Sequence, residues 1–217
     1  MLPPAAVFGV AGCRPKIDPG ILRFGHFPNV THVQGLVAHQ LSRRGEGWFE
    51  KRLGVKIEWF TYNAGPSATE AIFSGSLDVT YIGPSPVLNA YAKSAGDEMR
   101  VLAGAAYGGN SLVVRADSGI TKPEDFRGKK IATPQLGNTQ DVQTRAWLAE
   151  NGIKVTLTGG EAMVLPTENS NQFALFQNHE LDAVWTVEPW VTRLELDAGG
   201  KIFFEDKNTS VTLLAAS

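Results

Sequence analysis

A strand, a polar loop and a helix start follow one another twice in this chain, with similar residue types each time. The first copy runs from an apolar strand at 22–25, through a loop at 28–30, to a helix start at Thr31. The second runs from 130–133, through a loop at 134–138, to Thr139. A chain that repeats such a unit is predicted to form two related α/β lobes, one sheet per copy.

A second echo lies further along each half. Leu77-Asp78 leads into a strand that ends at Gly83-Pro84, and Leu181-Asp182 leads into a strand that ends at Glu188-Pro189. The two echoes occur in the same order, which favours duplication of a whole lobe. In open α/β sheets, ligands bind beyond the carboxyl ends of the strands, so we expect a ligand in the cleft between the lobes.

Strands alternate with helices along most of the chain, which predicts mostly parallel sheets. We expect strands at 21–25, 55–62, 77–82, 101–106, 112–115, around Ile131, and at 155–157, 183–187, 202–204 and 211–215. We expect helices at 33–41, 48–53, 68–73, 86–94, 122–126, 139–150, 171–177 and 191–197. The predicted organisation is a leader and linker at 1–20, a first lobe of 21–112 plus 209–217, and a second lobe of 113–208.

Composition indicates an ordinary globular protein without a strong electrostatic field. The chain has 217 residues, 43% of them hydrophobic and 19% charged, and a formal net charge of −2. No long run of one charge occurs, which argues against a nucleic-acid partner or an anionic membrane surface. A binding site for an anion would therefore depend on local helix termini and a few donors.

The single cysteine, Cys13, follows a short apolar segment at 5–12. One cysteine excludes a disulfide framework and a zinc site built on two or more thiolates. The run Val10-Ala11-Gly12-Cys13 resembles a bacterial lipobox, although no basic residue precedes the apolar segment and Pro3-Pro4 opens it. We interpret it as the tail of a secretion signal with an acylation site at Cys13; the alternative is an incidental cysteine. The sequence has no run of 18 apolar residues that could span a bilayer.

Four strand-to-helix turns carry residues suited to holding an anion. Gly137-Asn138-Thr139 opens one helix, and we expect the Thr139 hydroxyl to cap it. Asn29, Thr31 and His32 offer a similar arrangement in the first half. Ser85 and Ser67 are expected N-caps in the turns Gly83 to Pro86 and Gly65 to Ser67. Free backbone N–H groups at such helix starts form anion cradles, and four of them could surround one compact ligand.

The remaining candidate residues argue for binding without a cofactor. Glu188 lies between Trp185 and Trp190, where its carboxylate could pair with an amine or hydroxyl of a ligand. His26, His32 and His39 are not spaced for a shared helix face, so we predict no metal site. No glycine-flanked nucleophile elbow and no nucleotide-binding loop occurs in the sequence.

Several blocks resemble substrate-binding proteins of ABC importers for nitrate, sulfonates and taurine. They are 28–34, Asn63-Ala64-Gly65-Pro66, Leu77-Asp78 through Gly83-Pro84-Ser85-Pro86, 125–141, and Glu188-Pro189-Trp190. The likeness covers about residues 20 to 217, with the blocks in the right order. It implies a type II periplasmic-binding-protein fold, with two α/β lobes joined by two crossing strands and closing on a small ligand. Members of that family continue beyond such a final strand with helices, so the resemblance implies an incomplete first lobe.

The resemblance implies a receptor, not an enzyme, that binds an aliphatic sulfonate or taurine-like solute and passes it to permease subunits. We expect a monomer outside the cytoplasm, tethered to the membrane only through a possible lipid anchor, without cofactor, metal or nucleic acid. The expected ligand-binding residues are Asn29, Thr31, His32, Gly65, Ser85, Gln135, Asn138, Thr139, Gln140, Glu188 and Trp190. Open alternatives are a nitrate-like anion, a pyrimidine or thiamine precursor as ligand, and, less favoured, a pyrimidine-precursor synthase. A transcription regulator would need a helix-turn-helix before the first strand, for which the twenty Pro- and Gly-rich residues there leave no room.

Overall fold

The computed structural model describes residues 18–217, which form two five-stranded sheets. Cys13 and the expected leader lie outside these residues. The strand order is β2-β1-β3-β10-β4 in the first sheet and β7-β6-β8-β5-β9 in the second. We call the first sheet with α1–α4 the first lobe, and the second sheet with α5–α7 the second lobe.

The first lobe alternates strands and helices before the chain leaves it. Its strands are β1 (Ile21–His26), β2 (Lys56–Thr61), β3 (Val79–Ile82), β4 (Arg100–Tyr107) and β10 (Ser210–Ala216). Its helices are α1 (Val33–Arg43), α2 (Trp48–Leu53), α3 (Gly65–Phe73) and α4 (Pro84–Lys93), with a 3-10 turn at Val30–His32.

The second lobe repeats the arrangement. Its strands are β5 (Asn110–Arg115), β6 (Lys130–Thr133), β7 (Met163–Pro166), β8 (Ala183–Val187) and β9 (Gly200–Asp206). Its helices are α5 (Thr139–Glu150), α6 (Asn169–Gln177) and α7 (Trp190–Asp197), with a 3-10 turn at Pro123–Phe126. One strand prediction is wrong: 155–157 holds only an isolated bridge between Val155 and Gly160, and the strand lies instead at β7.

In each sheet four strands point the same way and one runs opposite. The opposed strands are β10, which pairs antiparallel with β3 and β4, and β5, which pairs antiparallel with β8 and β9. Each enters its sheet directly after the chain has left the other one. The crossings therefore lie at Gly108-Gly109 and at 207–209, and the expected boundary after residue 112 falls inside β5. The division into domains at the stated residues stays a prediction.

The repeated Leu-Asp pair, Leu77-Asp78 and Leu181-Asp182, has a structural cause. Asp78 accepts the N–H of Arg23 in β1 at 2.7 Å, and its own N–H donates to the Arg23 carbonyl at 3.0 Å. Asp182 makes the same pair of bonds with Lys130 in β6, at 2.9 Å each. Each aspartate thus fastens the start of β3 or β8 to the equivalent strand β1 or β6, while the preceding Leu77 or Leu181 is buried.

Each sheet carries two clusters of buried side chains, although the edge strand β4 is largely exposed. In the first lobe Ile72, Ile82 and Met99 belong to one cluster, and Phe24, Ile57 and Tyr81 to another. The second lobe has two clusters as well, one around Phe126 and Trp185 and the other around Phe176. Each lobe therefore has a buried core of its own. The carboxyl ends of β1, β3, β6 and β8 lead to the same region between the lobes.

Candidate functional site: a cavity between the lobes

A narrow cavity of about 20 Å³ lies between the lobes, with room for about one water. Six residues that the sequence analysis assigned to the ligand line it: Asn29, Thr31, His32, Asn138, Thr139 and Gln140. Eight further lining residues were not among the expected ligand-binding residues: Phe27, Asn63, Ala64, Gly83, Pro134, Asn169, Val187 and Val211. All four predicted helix starts reach the cavity, since Thr31, Ala64, Gly83 and Thr139 each stand at one of them.

The start of α5 differs in detail from the sequence prediction. Asn138, not Thr139, is the N-cap: its Oδ1 accepts the N–H of Asp141 at 2.8 Å. Asp141 in turn accepts the Gly137 N–H at 2.9 Å and is paired with Arg145. Thr139 is therefore the first helical residue. The N–H groups of Thr139 and Gln140 belong to the first turn, where a helix offers no acceptor of its own.

The hydroxyl of Thr139 is buried at the cavity with no hydrogen-bond partner among residues 18–217. Thr139 is 4% exposed, and leaving a buried hydroxyl unpaired costs about 1–3 kcal/mol. Its Oγ1 presses against Gly83 of the other lobe: a Cβ built on Gly83 would lie 2.3 Å from it. The structure thus places an unsatisfied donor and acceptor where the two lobes meet.

His32 presents a neutral imidazole. Its Nδ1 accepts the N–H of Phe27 at 3.3 Å, so in the neutral ring the proton sits on Nε2. Burial, with a smaller contribution from His26, lowers the pKa of His32 to about 3. Nε2–H is therefore a donor without charge at ordinary pH.

The lobes are already in hydrogen-bonded contact around the cavity. Trp190 Nε1 donates to Asn29 Oδ1 at 3.1 Å, and the Val30 N–H donates to the Glu188 carbonyl at 2.9 Å. On the opposite side Asn63 Nδ2 donates to the Pro134 carbonyl at 3.0 Å. These contacts hold the lobes in a closed arrangement, and a ligand larger than a water molecule can enter the cavity only after they separate.

Five predicted ligand residues lie outside the cavity lining. Gln135 contacts Ser67 across the cleft, with Nε2 2.9 Å from the serine Oγ. Trp190 forms the bond to Asn29, and Glu188 accepts from the Thr192 N–H at 3.1 Å and Oγ1 at 2.9 Å in the first turn of α7. Gly65 packs against Pro86 within the first lobe.

The expected serine caps are also wrong. Ser85 and Ser67 lie inside α4 and α3, whose N-caps are Gly83 and Ala64, and neither helix has a side-chain cap. Of the unpredicted lining residues, Asn63 adjoins the Ala64-Gly65 turn and could have been found from it. Asn169 and Val211 follow no recognisable sequence signal.

The histidine predicts how stability depends on pH. An unfolded histidine has a pKa near 6.5 and His32 has one of about 3, so between these values the unfolded state binds more protons. Stability is fully present above about pH 6.5 and falls with acidification, with a slope approaching ~1.4 kcal/mol per pH unit from this residue. Urea unfolding at pH 7, 6 and 5 should show a shallower loss in His32→Gln than in the parent chain. Equal slopes would contradict the buried neutral ring.

Two lobes closing on a polar cavity define the architecture of a cleft-type binding protein. The chain belongs to the NMT1-like family, whose model matches residues 16–212. This confirms the resemblance drawn from the sequence blocks. In residues 18–217 no group of three potential metal ligands gathers, and no helix is long and apolar enough to cross a bilayer.

Curated relatives carry names of binding proteins. The taurine-binding periplasmic protein of Escherichia coli is 28% identical over 181 residues, covering 81% of this chain and 54% of that protein. A putative aliphatic sulfonates-binding protein of Bacillus subtilis is 25% identical, covering 95% of this chain and 61% of that one. The chain therefore spans only about half to three fifths of the length of these relatives.

Solved structures confirm the fold prediction. The alkanesulfonate-binding protein SsuA of Xanthomonas axonopodis pv. citri, bound to MOPS, superposes with a TM-score of 0.73 at 24% identity. That match covers 93% of this chain and 66% of the other. The nitrate-binding protein NrtA of Synechocystis superposes with a TM-score of 0.70 at 13% identity, covering 91% and 55%. These likenesses establish a two-lobed periplasmic-binding-protein fold.

Proposed function

We propose that this chain is the ligand-binding part of a receptor, not an enzyme, that captures a small organic sulfonate for an ABC importer. The observation that carries the proposal is the cavity itself, where helix starts from both lobes meet around the unpartnered Thr139 hydroxyl. A sulfonate keeps its negative charge at all ordinary pH values, and helix N-termini with neutral donors suit such an anion. The names of the taurine- and sulfonate-binding relatives support the same ligand class.

Binding would proceed by closure of the lobes. With the lobes apart, the anion docks on the helix starts of one lobe, and the donors of the other complete its hydrogen bonds. The ligand provides partners for Thr139 Oγ1 and His32 Nε2–H. Permease subunits are the proposed partners of the closed receptor, which acts as a monomer.

Removing the Thr139 hydroxyl tests this function. Thr139→Ala should weaken sulfonate binding by about 1–3 kcal/mol, or roughly 5- to 150-fold, because a ligand hydrogen bond is lost. Thr139→Ser retains the hydroxyl and should bind almost as tightly as the parent. Because Asn138 caps α5, neither change removes a helix cap. Titration calorimetry with 1-propanesulfonate gives the affinities, and thermal melting gives the stabilities.

Two results would oppose the proposal. Equal affinity of the alanine and serine variants would remove the hydroxyl from the ligand site. If titration calorimetry detects binding of nitrate but of no alkanesulfonate, the chain is still a binding protein but its ligand is a nitrate-like anion.

We further propose that the receptor works outside the cytoplasm, tethered through lipid on Cys13. The lipobox-like segment and the periplasmic relative support this location. Labelled palmitate should enter the protein expressed in bacteria and should be absent from Cys13→Ser. Labelling that persists in the variant would rule out Cys13 as the acylated residue.

A further inference from the structure

The cavity lining of residues 18–217 contains no charged side chain. It combines neutral polar residues with apolar ones, and its histidine is uncharged. An ammonium group that enters such a cavity loses its hydration without gaining a carboxylate partner, which costs several kcal/mol unless acceptors replace the water. The alkyl part of a ligand, by contrast, meets Phe27, Val187 and Val211, all at most 6% exposed.

The carboxylates near the cleft are already occupied. Asp141 is 2% exposed and accepts from Thr133, Gly137 and Arg145, so the arginine compensates its charge. Glu188 directs both carboxylate oxygens to Thr192 at the start of α7. Neither group stands in the lining, and releasing either would break its existing hydrogen bonds.

Most amide side chains of the lining already accept a hydrogen bond from the protein through their oxygens. Asn29, Asn138, Gln140 and Asn169 have oxygens that accept from Trp190, Asp141, Asn138 and Thr186 respectively. Each of these oxygens therefore already has a donor, while within residues 18–217 the Nδ2 groups of Asn29 and Asn169 remain free to donate to a ligand. Asn63 is the exception, since its Nδ2 donates to Pro134 and its neutral oxygen remains. Among the amide side chains the hydrogen-bonding surplus is therefore one of donors, which suits an anionic head better than an ammonium.

We infer that, within the proposed function, this cavity selects alkanesulfonates without an amino group over amino sulfonates such as taurine. The inference rests on the proposed sulfonate-binding role. It concerns the tail of the ligand, whereas the Thr139 test concerns the head.

Three ligands of equal length isolate the charge. 1-Propanesulfonate, 2-hydroxyethanesulfonate and taurine place a methyl, a hydroxyl and an ammonium at the same position. Titration calorimetry of the parent chain should give an affinity for taurine at least about 10-fold weaker than for 1-propanesulfonate. The hydroxyl compound should lie much closer to 1-propanesulfonate than to taurine, because it adds polarity without charge.

The outcomes separate the two claims. Taurine binding as tightly as 1-propanesulfonate, or more tightly, would overturn the inference and leave the sulfonate receptor intact. A hydroxyl compound as weak as taurine would also overturn it, since polarity and not charge would then be rejected. If none of the three binds, the proposed function fails and the inference falls with it.

As a control on the site, Asn169→Asp keeps the oxygen that accepts from Thr186 and adds a carboxylate to the lining. It should narrow the preference for 1-propanesulfonate over taurine. If both affinities fall and the ratio of 1-propanesulfonate to taurine affinity is unchanged, the tail of the ligand does not lie near Asn169. A larger ratio than in the parent would contradict the role of charge.

Discussion

Gly83→Ala is expected to weaken binding of 1-propanesulfonate about 100-fold and to leave each lobe folded. Gly83 has φ −71° and ψ 155°, an extended conformation that alanine adopts without strain. The glycine is needed instead for space, because an added Cβ would lie 2.3 Å from Thr139 Oγ1 and 3.3 Å from Thr139 Cβ. Overpacking of this kind costs about 1–3 kcal/mol. Because the two residues belong to different lobes, this cost opposes closure of the lobes and not the folding of either lobe.

The measurement combines calorimetry with small-angle scattering in saturating ligand. The variant should retain a larger radius of gyration than the parent, since the added methyl holds the lobes apart. Gly104→Ala is the matched control: a Cβ there meets nothing within 4 Å, so affinity and radius should match the parent. The double variant Gly83→Ala, Thr139→Ala lacks Oγ1, so its lobes should close more nearly as in the parent. Its affinity should recover less, because the hydroxyl that binds the ligand is also missing. Tight binding by Gly83→Ala alone would show that the ligand does not require this approach.

Much of the fold could be predicted because the sequence carries strong local signals. The limits of α2, α5 and β8 match their predicted residues at both ends. Each has a clear stop: Gly54 ends α2 and Asn151-Gly152 follows α5, while Glu188-Pro189 follows β8. The order of β1 and β3 in one sheet and of β6 and β8 in the other agrees with the repeat read from the sequence.

The failure at 155–157 has a physical cause. Val155-Thr156-Leu157 has the composition of a strand, but Gly160 adopts a positive φ of 126° and the chain turns back, so that the Glu161 N–H donates to the Lys154 carbonyl. The result is a tight loop in which Val155 bridges Gly160. The strand that does form, β7, is four residues long and ends in Pro166, which weakens its sequence signal.

Site residues at the starts of helices could be predicted from the sequence. Those brought to the cavity by the order of the strands in the sheets were missed. Helix starts are local features, and all four reach the cavity. Asn138 and Thr139 are both good capping residues side by side, so sequence alone could not decide which one caps α5. Val187 and Val211 reach the cavity through sheet order, which no short motif encodes.

Gly65→Ala should lower the free energy of unfolding by about 1–3 kcal/mol through packing and not through the ligand. The sequence resemblance predicts Gly65 at the ligand, whereas the structure places it against a neighbouring helix of its own lobe. A Cβ there would lie 2.2 Å from Cγ and 2.7 Å from Cβ of Pro86, with Ile82 Cγ1 at 3.4 Å. The proline ring cannot rotate away, so α3 and α4 must separate, and overpacking of a buried contact costs about 1–3 kcal/mol. For a chain of 217 residues this corresponds to a fall of roughly 2–12 °C in melting temperature.

The same variant distinguishes packing from ligand contact. If Gly65 acts through packing, the melting temperature falls equally with and without 1-propanesulfonate, and affinity measured well below the transition stays within about threefold of the parent. Gly104→Ala again serves as the control, because its site is open and its melting temperature should not change. A Gly65→Ala chain that melts with the parent but loses binding would return this glycine to the ligand site. That result would also require α4 to move in the closed state, since the fixed ring of Pro86 leaves no other room for the methyl group.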